Sequence, residues 1–222
     1  IDNEKADTKH PSLIIVHTEI AHGTQKANSA SAHGEPLGEE AIKAMREYYG
    51  WNEEPFAVPA DVRAYFAELQ EGYTKQHAAY DAMMANYKKT YPDLYEKWVA
   101  WHEKKLPAAL KADPRLWNVT GSKATRAVSG DVLNIFAEYL PNLFGGSADL
   151  APSNKTELKG KGFFGVENRT GANVHFGIRE FAMAAICNGI QLYGGFHAFC
   201  ATFLGFTDYL KPAPRLSAIM HQ

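Results

Sequence analysis

Cysteine is nearly absent, neither sign of charge is in excess, and no apolar run is long enough to cross a bilayer. Cys187 and Cys200 are the two cysteines in 222 residues. No disulfide framework can be built from them and no zinc-type spacing surrounds them, so they read as small buried apolar residues in a reducing compartment. The chain has 23 basic and 25 acidic side chains. That balance creates no broad field for nucleic acid or an anionic membrane, and neither is expected as a partner. A spanning helix needs about 18 or more consecutive apolar residues, and the segment Ile1-Asp2-Asn3-Glu4-Lys5 has no signal-peptide apolar core. A cytoplasmic location is expected. The first residue is Ile rather than Met, which is expected of a piece of a longer chain. Asn118, Asn154 and Asn168 open Asn-x-Ser/Thr sequons, which carry little meaning without a secretion signal.

The familiar motifs of metal and nucleotide chemistry are missing too. There is no H-E-x-x-H, EF-hand loop, Walker A or G-x-S-x-G, and no metal site is expected on this chain. Gly160-Lys-Gly162-Phe-Phe-Gly165 spells G-x-G-x-x-G, but no strand is expected before it and no helix after it. A dinucleotide site is therefore rejected there.

With 45% hydrophobic residues, the chain can build one domain or two small ones. Ser12-Leu13-Ile14-Ile15-Val16-His17 reads as a strand buried on both faces, followed by a Gly/Ser/Ala/Asn-rich loop over 21–37. Helical spacing begins at Gly38 and returns over Asp61–Lys89 and Pro92–Lys105. Residues 108–121 carry Pro114 and Gly121 and read as a linker. Beyond it come a helix over Ser122–Leu140, a short strand at 142–146 and a glycine-rich loop over 154–173. A helix at Arg179–Tyr193, a strand at Phe196–Ala201 and a largely helical stretch over Phe203–Met220 complete the chain. This alternation predicts an α/β domain with a parallel sheet. In the helix at 179–193, Ile178, Phe181, Ala182, Ala185, Ile186, Gly189, Ile190 and Tyr193 recur at intervals of three and four. That stripe serves either core packing or a helix–helix subunit interface.

Individual residues suggest chemistry only weakly. Glu180 stands in a first helical turn, where a carboxylate complements the macrodipole, and its apolar neighbours point to partial desolvation. Arg126 also lies in a first turn, where free N–H groups and a guanidinium together suit a phosphate. Ser153 sits in a Pro-Ser-Asn turn and His33 in a loop of small residues; capping and solvation are the ordinary roles there.

Five elements in order change this. His33-Gly34-Glu35-Pro36-Leu37-Gly38 is followed by Gly145-Gly146-Ser147-Ala148-Asp149-Leu150-Ala151-Pro152-Ser153-Asn154, then by His175-Phe176-Gly177-Ile178-Arg179-Glu180-Phe181. Gly194-Gly195-Phe196 and Thr202-Phe203-x-x-Phe206-x-x-Tyr209 complete the set. From about Pro11 to Gln222 the chain resembles the transketolases, thiamine-diphosphate enzymes that move a two-carbon ketol unit from a ketose phosphate to an aldose phosphate in the pentose phosphate pathway. The fold class this implies is α/β, with incomplete pieces of two thiamine-diphosphate-binding domains, each with a parallel sheet, joined by a helical segment. Residues 1–117 would be the C-terminal part of the diphosphate-binding domain, and 118–222 the N-terminal part of the pyrimidine-binding domain.

The resemblance also implies roles. Glu180 would hydrogen-bond the cofactor's aminopyrimidine and, with His33, act in catalysis. Phe206 would stack on that ring, with Phe203, Tyr209, Asp149, Leu150 and His33 also contacting thiamine diphosphate. Arg126, Ser153 and His33 would bind the sugar phosphate. Mg²⁺ or Ca²⁺ would be held by a Gly-Asp-Gly…Asn segment outside this chain, and the whole protein would be a homodimer whose sites draw on both subunits. This piece alone would be inactive. One departure stands out: Ala21-His22-Gly23-Thr24-Gln25-Lys26 replaces the family's Gly-x-Gly-Ser-Pro-Asn-Lys wording. Dihydroxyacetone synthase, deoxyxylulose-phosphate synthase and a catalytically silent dimerisation paralogue are the alternatives.

Overall fold

A computed structural model describes residues 1–222 and divides them into two units, Ile1–Gln76 and His77–Gln222. The first contains α1 (Asp2–Ala6), a 3₁₀ turn at Ala30–His33, α2 (Glu39–Tyr48) and the start of α3 (Ala60–Thr90). The loop before α2 is pinned by aromatic contact. The His22 ring meets Tyr48 edge-on at 5.5 Å, while its Nδ1 lies 2.7 Å from Glu19.

The expected strand at Ser12–His17 is corrected by the structure. No strand forms there, and Leu13, Ile14, Ile15 and Val16 are exposed. A strand needs a neighbour to pair its backbone groups, and all three strands of the sheet lie in the second unit.

The second unit begins within α3 and continues through α4 (Pro92–His102), α5 (Ala108–Ala112), a 3₁₀ turn at Pro114–Leu116 and α6 (Thr125–Tyr139). Next come β1 (Leu143–Ser147), α7 (Ala151–Asn154), β2 (Asn173–His175), α8 (Glu180–Tyr193), β3 (His197–Ala201), a 3₁₀ helix at Leu204–Tyr209 and α9 (Pro212–Ile219). Pro92 opens α4, where its missing N–H costs nothing. The presumed linker over 108–121 is not a bare linker. α5 buries Leu110 in the core, and the buried Asp113 carboxylate caps the 3₁₀ turn by accepting from the Arg115 N–H at 2.9 Å.

The sheet runs β2-β1-β3, all parallel, with Ser147 in register with both His175 and Ala201. Glycines in β1 let its neighbours approach closely. A Cβ on Gly145 would stand 2.0 Å from the Phe199 carbonyl oxygen, and one on Gly146 the same distance from that of Val174. Two apolar cores form. Leu110, Ala137, Leu140, Leu143 and Leu158 gather one, with Phe199 packed against it. Ala148, Phe176, Met183 and Cys187 form the other, touched by Ala198 and Cys200. Alternate residues of β3 thus serve opposite cores, as the two-residue repeat of a strand requires. Cys187 and Cys200 are free thiols; the neighbouring Cys200 and then burial push the Cys187 thiol up.

The long loop after α7 is held by one buried side chain. Asn173 Oδ1 accepts from the Leu158 N–H at 2.7 Å, and its Nδ2 donates to the carbonyls of Leu158 and Gly162 at 2.9 and 3.0 Å. No helix is long and apolar enough to cross a membrane.

Candidate active site

Because β1, β2 and β3 are parallel and end in register, the three segments leaving them emerge on one edge of the sheet. Ligands of open parallel sheets bind outside those carboxyl ends. Here the segments enclose a cavity of about 460 Å³, lined by Ala148, Asp149, Leu150, Ile178, Glu180, Phe206 and Tyr209. It lies wholly within the second unit.

Each wall has a local cause. After β1 the backbone turns through Asp149 in a left-handed conformation, φ 61°, which a residue with a Cβ adopts only when its surroundings hold it there. After β2 the chain turns at Gly177, φ 70°. A Cβ there would stand 2.4 Å from Arg179 Nη1, which donates to the Phe176 carbonyl at 2.9 Å. That turn delivers Glu180, half-buried, into the first turn of α8, where the helix dipole favours a negative charge. After β3, Phe206 and Tyr209 stand three residues apart on a 3₁₀ helix, in which i and i+3 eclipse. Their ring centroids are 6.2 Å apart, and both rings keep much of their surface exposed.

Phe203, expected on the same ring-binding face, stands at the start of that turn, 6.3 Å from Phe206, and lines a second cavity. This space, about 520 Å³, is bounded by Arg126, Thr125, Ser129, Asn154, Thr156 and Thr202 among others. No side chain caps the N-terminus of α6 beside Arg126. The hydroxyls of Thr156 and Thr202 are buried without a hydrogen-bond partner. A guanidinium, an uncapped helix start and two unpaired hydroxyls suit an anion with several oxygens.

Ser153 is exposed on α7 and does not line this space, although the next residue, Asn154, does. His33 is exposed in the first unit, at the end of its 3₁₀ turn. Ala148 and Ile178 line the first cavity but were not singled out by sequence reasoning. Their signal was their place beside Asp149 and Glu180 inside the two quoted motifs. No group of three or more His, Cys, Asp or Glu side chains is placed to hold a metal ion.

Residues 1–107 match a family model described as the transketolase thiamine diphosphate binding domain, and residues 121–222 match the transketolase pyrimidine binding domain. The chain belongs to the transketolase family. It is 43% identical over 222 residues to the transketolase of Halalkalibacterium halodurans, covering 99% of this chain and 33% of that protein. The transketolase of Geobacillus stearothermophilus is 44% identical over 223 residues, again covering 99% and 33%. The chain thus spans about a third of the length of these relatives. Among solved structures, transketolase from Leishmania mexicana superposes with a TM-score of 0.80 at 34% identity, covering 92% of this chain and 31% of that one. A transketolase from Pichia stipitis in complex with sedoheptulose 7-phosphate gives 0.76 at 34% identity, covering 90% and 31%. The α/β fold with its parallel sheet is therefore that of transketolases.

Proposed function

We propose that this chain contributes the pyrimidine side of a transketolase active site, in an enzyme that moves a two-carbon ketol unit from a ketose phosphate to an aldose phosphate. One observation carries the reading. A half-buried carboxylate at a helix start and two exposed aromatic rings face one cavity at the carboxyl ends of parallel strands.

The cavity suits a flat heteroaromatic ring: aromatic and aliphatic side chains supply most of its lining, and of its two carboxylate residues Glu180 comes from the start of α8 and Asp149 from the turn after β1. When bound, thiamine diphosphate supplies the carbon nucleophile that makes and breaks the sugar C–C bond. Glu180 would hold a proton between its carboxyl and a ring nitrogen, fixing the ring's tautomer. Phe206 would take the ring face, Tyr209 its flank, and Asp149 with Leu150 a further wall; Phe203, which lines the neighbouring cavity, would meet the cofactor only from that side. Arg126 would take the sugar phosphate, a reading supported by the unpaired hydroxyls beside it; Ser153, exposed on α7 outside that space, would join it only from the protein surface. His33 would contact the diphosphate and the substrate near its reacting carbon. Mg²⁺ or Ca²⁺ on the diphosphate would be held by residues outside this chain.

Residues 1–117 would belong to the diphosphate-binding domain and 118–222 to the pyrimidine-binding domain of a cytoplasmic homodimer acting in the pentose phosphate pathway. The apolar stripe of α8 supports dimerisation. Phe181, Ile186 and Tyr193 are exposed, whereas Met183, Ala184 and Cys187 of the same helix are buried in the core.

The test is Glu180→Ala in the complete gene product, following sedoheptulose 7-phosphate made from xylulose 5-phosphate and ribose 5-phosphate. Loss of a positioned proton donor is expected to slow turnover by about 10²–10⁴-fold. An unchanged rate removes Glu180 from the chemistry, and no sedoheptulose 7-phosphate from the unaltered protein refutes the activity.

A further inference from the structure

Asn154 closes the sequence motif that begins at Gly145, and it is buried where it borders the Arg126 cavity. Its Nδ2 donates to Ser147 Oγ at 2.7 Å, and Ser147 Oγ donates to the Ala201 carbonyl at 3.0 Å. The same carbonyl accepts the Ala148 N–H at 3.1 Å. The polarity of this chain of bonds is fixed. An amide nitrogen has only hydrogens to give, so the Ser147 oxygen accepts there and must spend its one proton on Ala201. Ser147 and Asn154 are both more than nine-tenths buried, where an unmade bond costs more than it would in water.

The three residues stand at structurally decisive points. Ser147 is the last residue of β1, Asn154 the last of α7 and Ala201 the last of β3. The bond from Asn154 to Ser147 closes the loop that contains Asp149, in its left-handed conformation, and Leu150. The bond from Ser147 to Ala201 grips the strand from which the Phe206–Tyr209 turn departs. Two walls of one cavity thus share a buried side-chain strut, which adds to the backbone bonds from the Asn154 N–H to Leu150 and from the Ala148 N–H to Ala201.

We infer that Asn154 is a positioning residue: acting through Ser147 and Ala201, it sets the Asp149–Leu150 wall against the Phe206–Tyr209 wall. Its importance to chemistry rests on reading this cavity as the ring-binding site. The strut itself does not.

The complete gene product would be compared with its Asn154→Ala, Ser147→Ala and doubly substituted forms by hydrogen exchange without added cofactor. About tenfold faster exchange is expected in segments 147–150 and 202–209 of each single variant, with α6 and the later turns of α8 unchanged, because one net hydrogen bond is lost. The double variant should be no faster than either single one, since both break the same chain of bonds. Asn154→Asp adds a test that survives if the alanine variants fail to fold. An ionised carboxylate can only accept and would take the Ser147 proton from Ala201, whereas its protonated form donates as the amide does. Its fast exchange at neutral pH should therefore be reversed at about pH 4, after correction for intrinsic rates. Unchanged exchange, acceleration spread evenly over the unit, or additive single effects would each overturn the strut. Thiamine diphosphate, titrated by quenching of tryptophan fluorescence, should bind about tenfold more weakly to each single variant. Selective exchange with unaltered affinity would leave the strut standing and sink the ring-site reading instead.

Discussion

Asp113 shows how much one side chain can do in a stretch whose sequence reads as a linker. Its carboxylate accepts from Arg115 Nη2 at 2.7 Å, from Arg115 Nε and from the Tyr139 hydroxyl at 3.0 Å, and Arg115 reaches on to Glu138. The hydrogen bonds from Arg115 hold Asp113 down, from the ordinary 3.8 to about 2. A carboxylate whose pKa is depressed by folding stabilises the fold above its unfolded value, and that stability is lost as pH falls through the folded one. The window here therefore runs from about pH 4 down to about pH 2. Asp113→Asn is expected to melt below the parent protein at neutral pH, with the gap closing across that window. Melting curves at several pH values check this, and a gap independent of pH would assign Asp113 a steric role instead. Sequence alone could not single out Asp113, because an Asp and an Arg two residues apart are commonplace, and Tyr139, which donates to Asp113, and Glu138, which holds Arg115, lie a helix away.

Among the elements, those defined by a sustained period were legible. Helical spacing located α2, α3, α4, α6 and α8 to within a few residues of their ends. The elements missed were short ones, α1, α5, β2 and α7, whose few residues cannot display a period; β2 exists because β1 pairs beside it, and α7 is anchored by Asn154. The run at 12–17 failed in the opposite sense: it has the composition of a buried strand but no partner strand within its unit. The three-residue aromatic spacing was visible, but not that the 3₁₀ helix begins only at Leu204: Phe203 precedes it in extended backbone and lines a different cavity from Phe206. The cavity walls were legible as motifs, and their common edge followed once the strands proved parallel.

β1 gives the sharpest test at this scale. Gly145→Ala must push a methyl group into the Phe199 carbonyl, so a loss of about 1–3 kcal/mol is expected from overpacking. Urea unfolding of the variant checks it. A loss of a few tenths would mean that β3 yields easily and that close strand approach is not what the glycine provides.

At the scale of the whole molecule, the exposed stripe on α8 is the feature this chain does not resolve for itself. The sequence left two uses open for it, and the structure turns Phe181, Ile186 and Tyr193 outward, while different residues of the helix fill the core and Ile178, just before the helix, lines the cavity. As a subunit contact, the stripe would bury large apolar side chains where a charge is poorly tolerated. Ile186→Glu in the complete gene product is expected to weaken self-association by about tenfold or more. Sedimentation velocity over a dilution series measures this directly, and an unchanged dissociation constant would free α8 from that role. The variant keeps the buried face of the helix intact, so lost association with an unaltered melting curve is the informative combination.

The tight winding at Leu204–Tyr209 also limits how this site can diversify. With about three residues per turn, one inserted or deleted residue swings everything downstream by about 120°. Tyr209 would then leave the row it shares with Phe206, however well the new residue packed. Side chains along this turn can be exchanged one for another while the geometry survives, but its length cannot drift. Across related proteins, variation here should be confined to the kind of residue and never extend to the number.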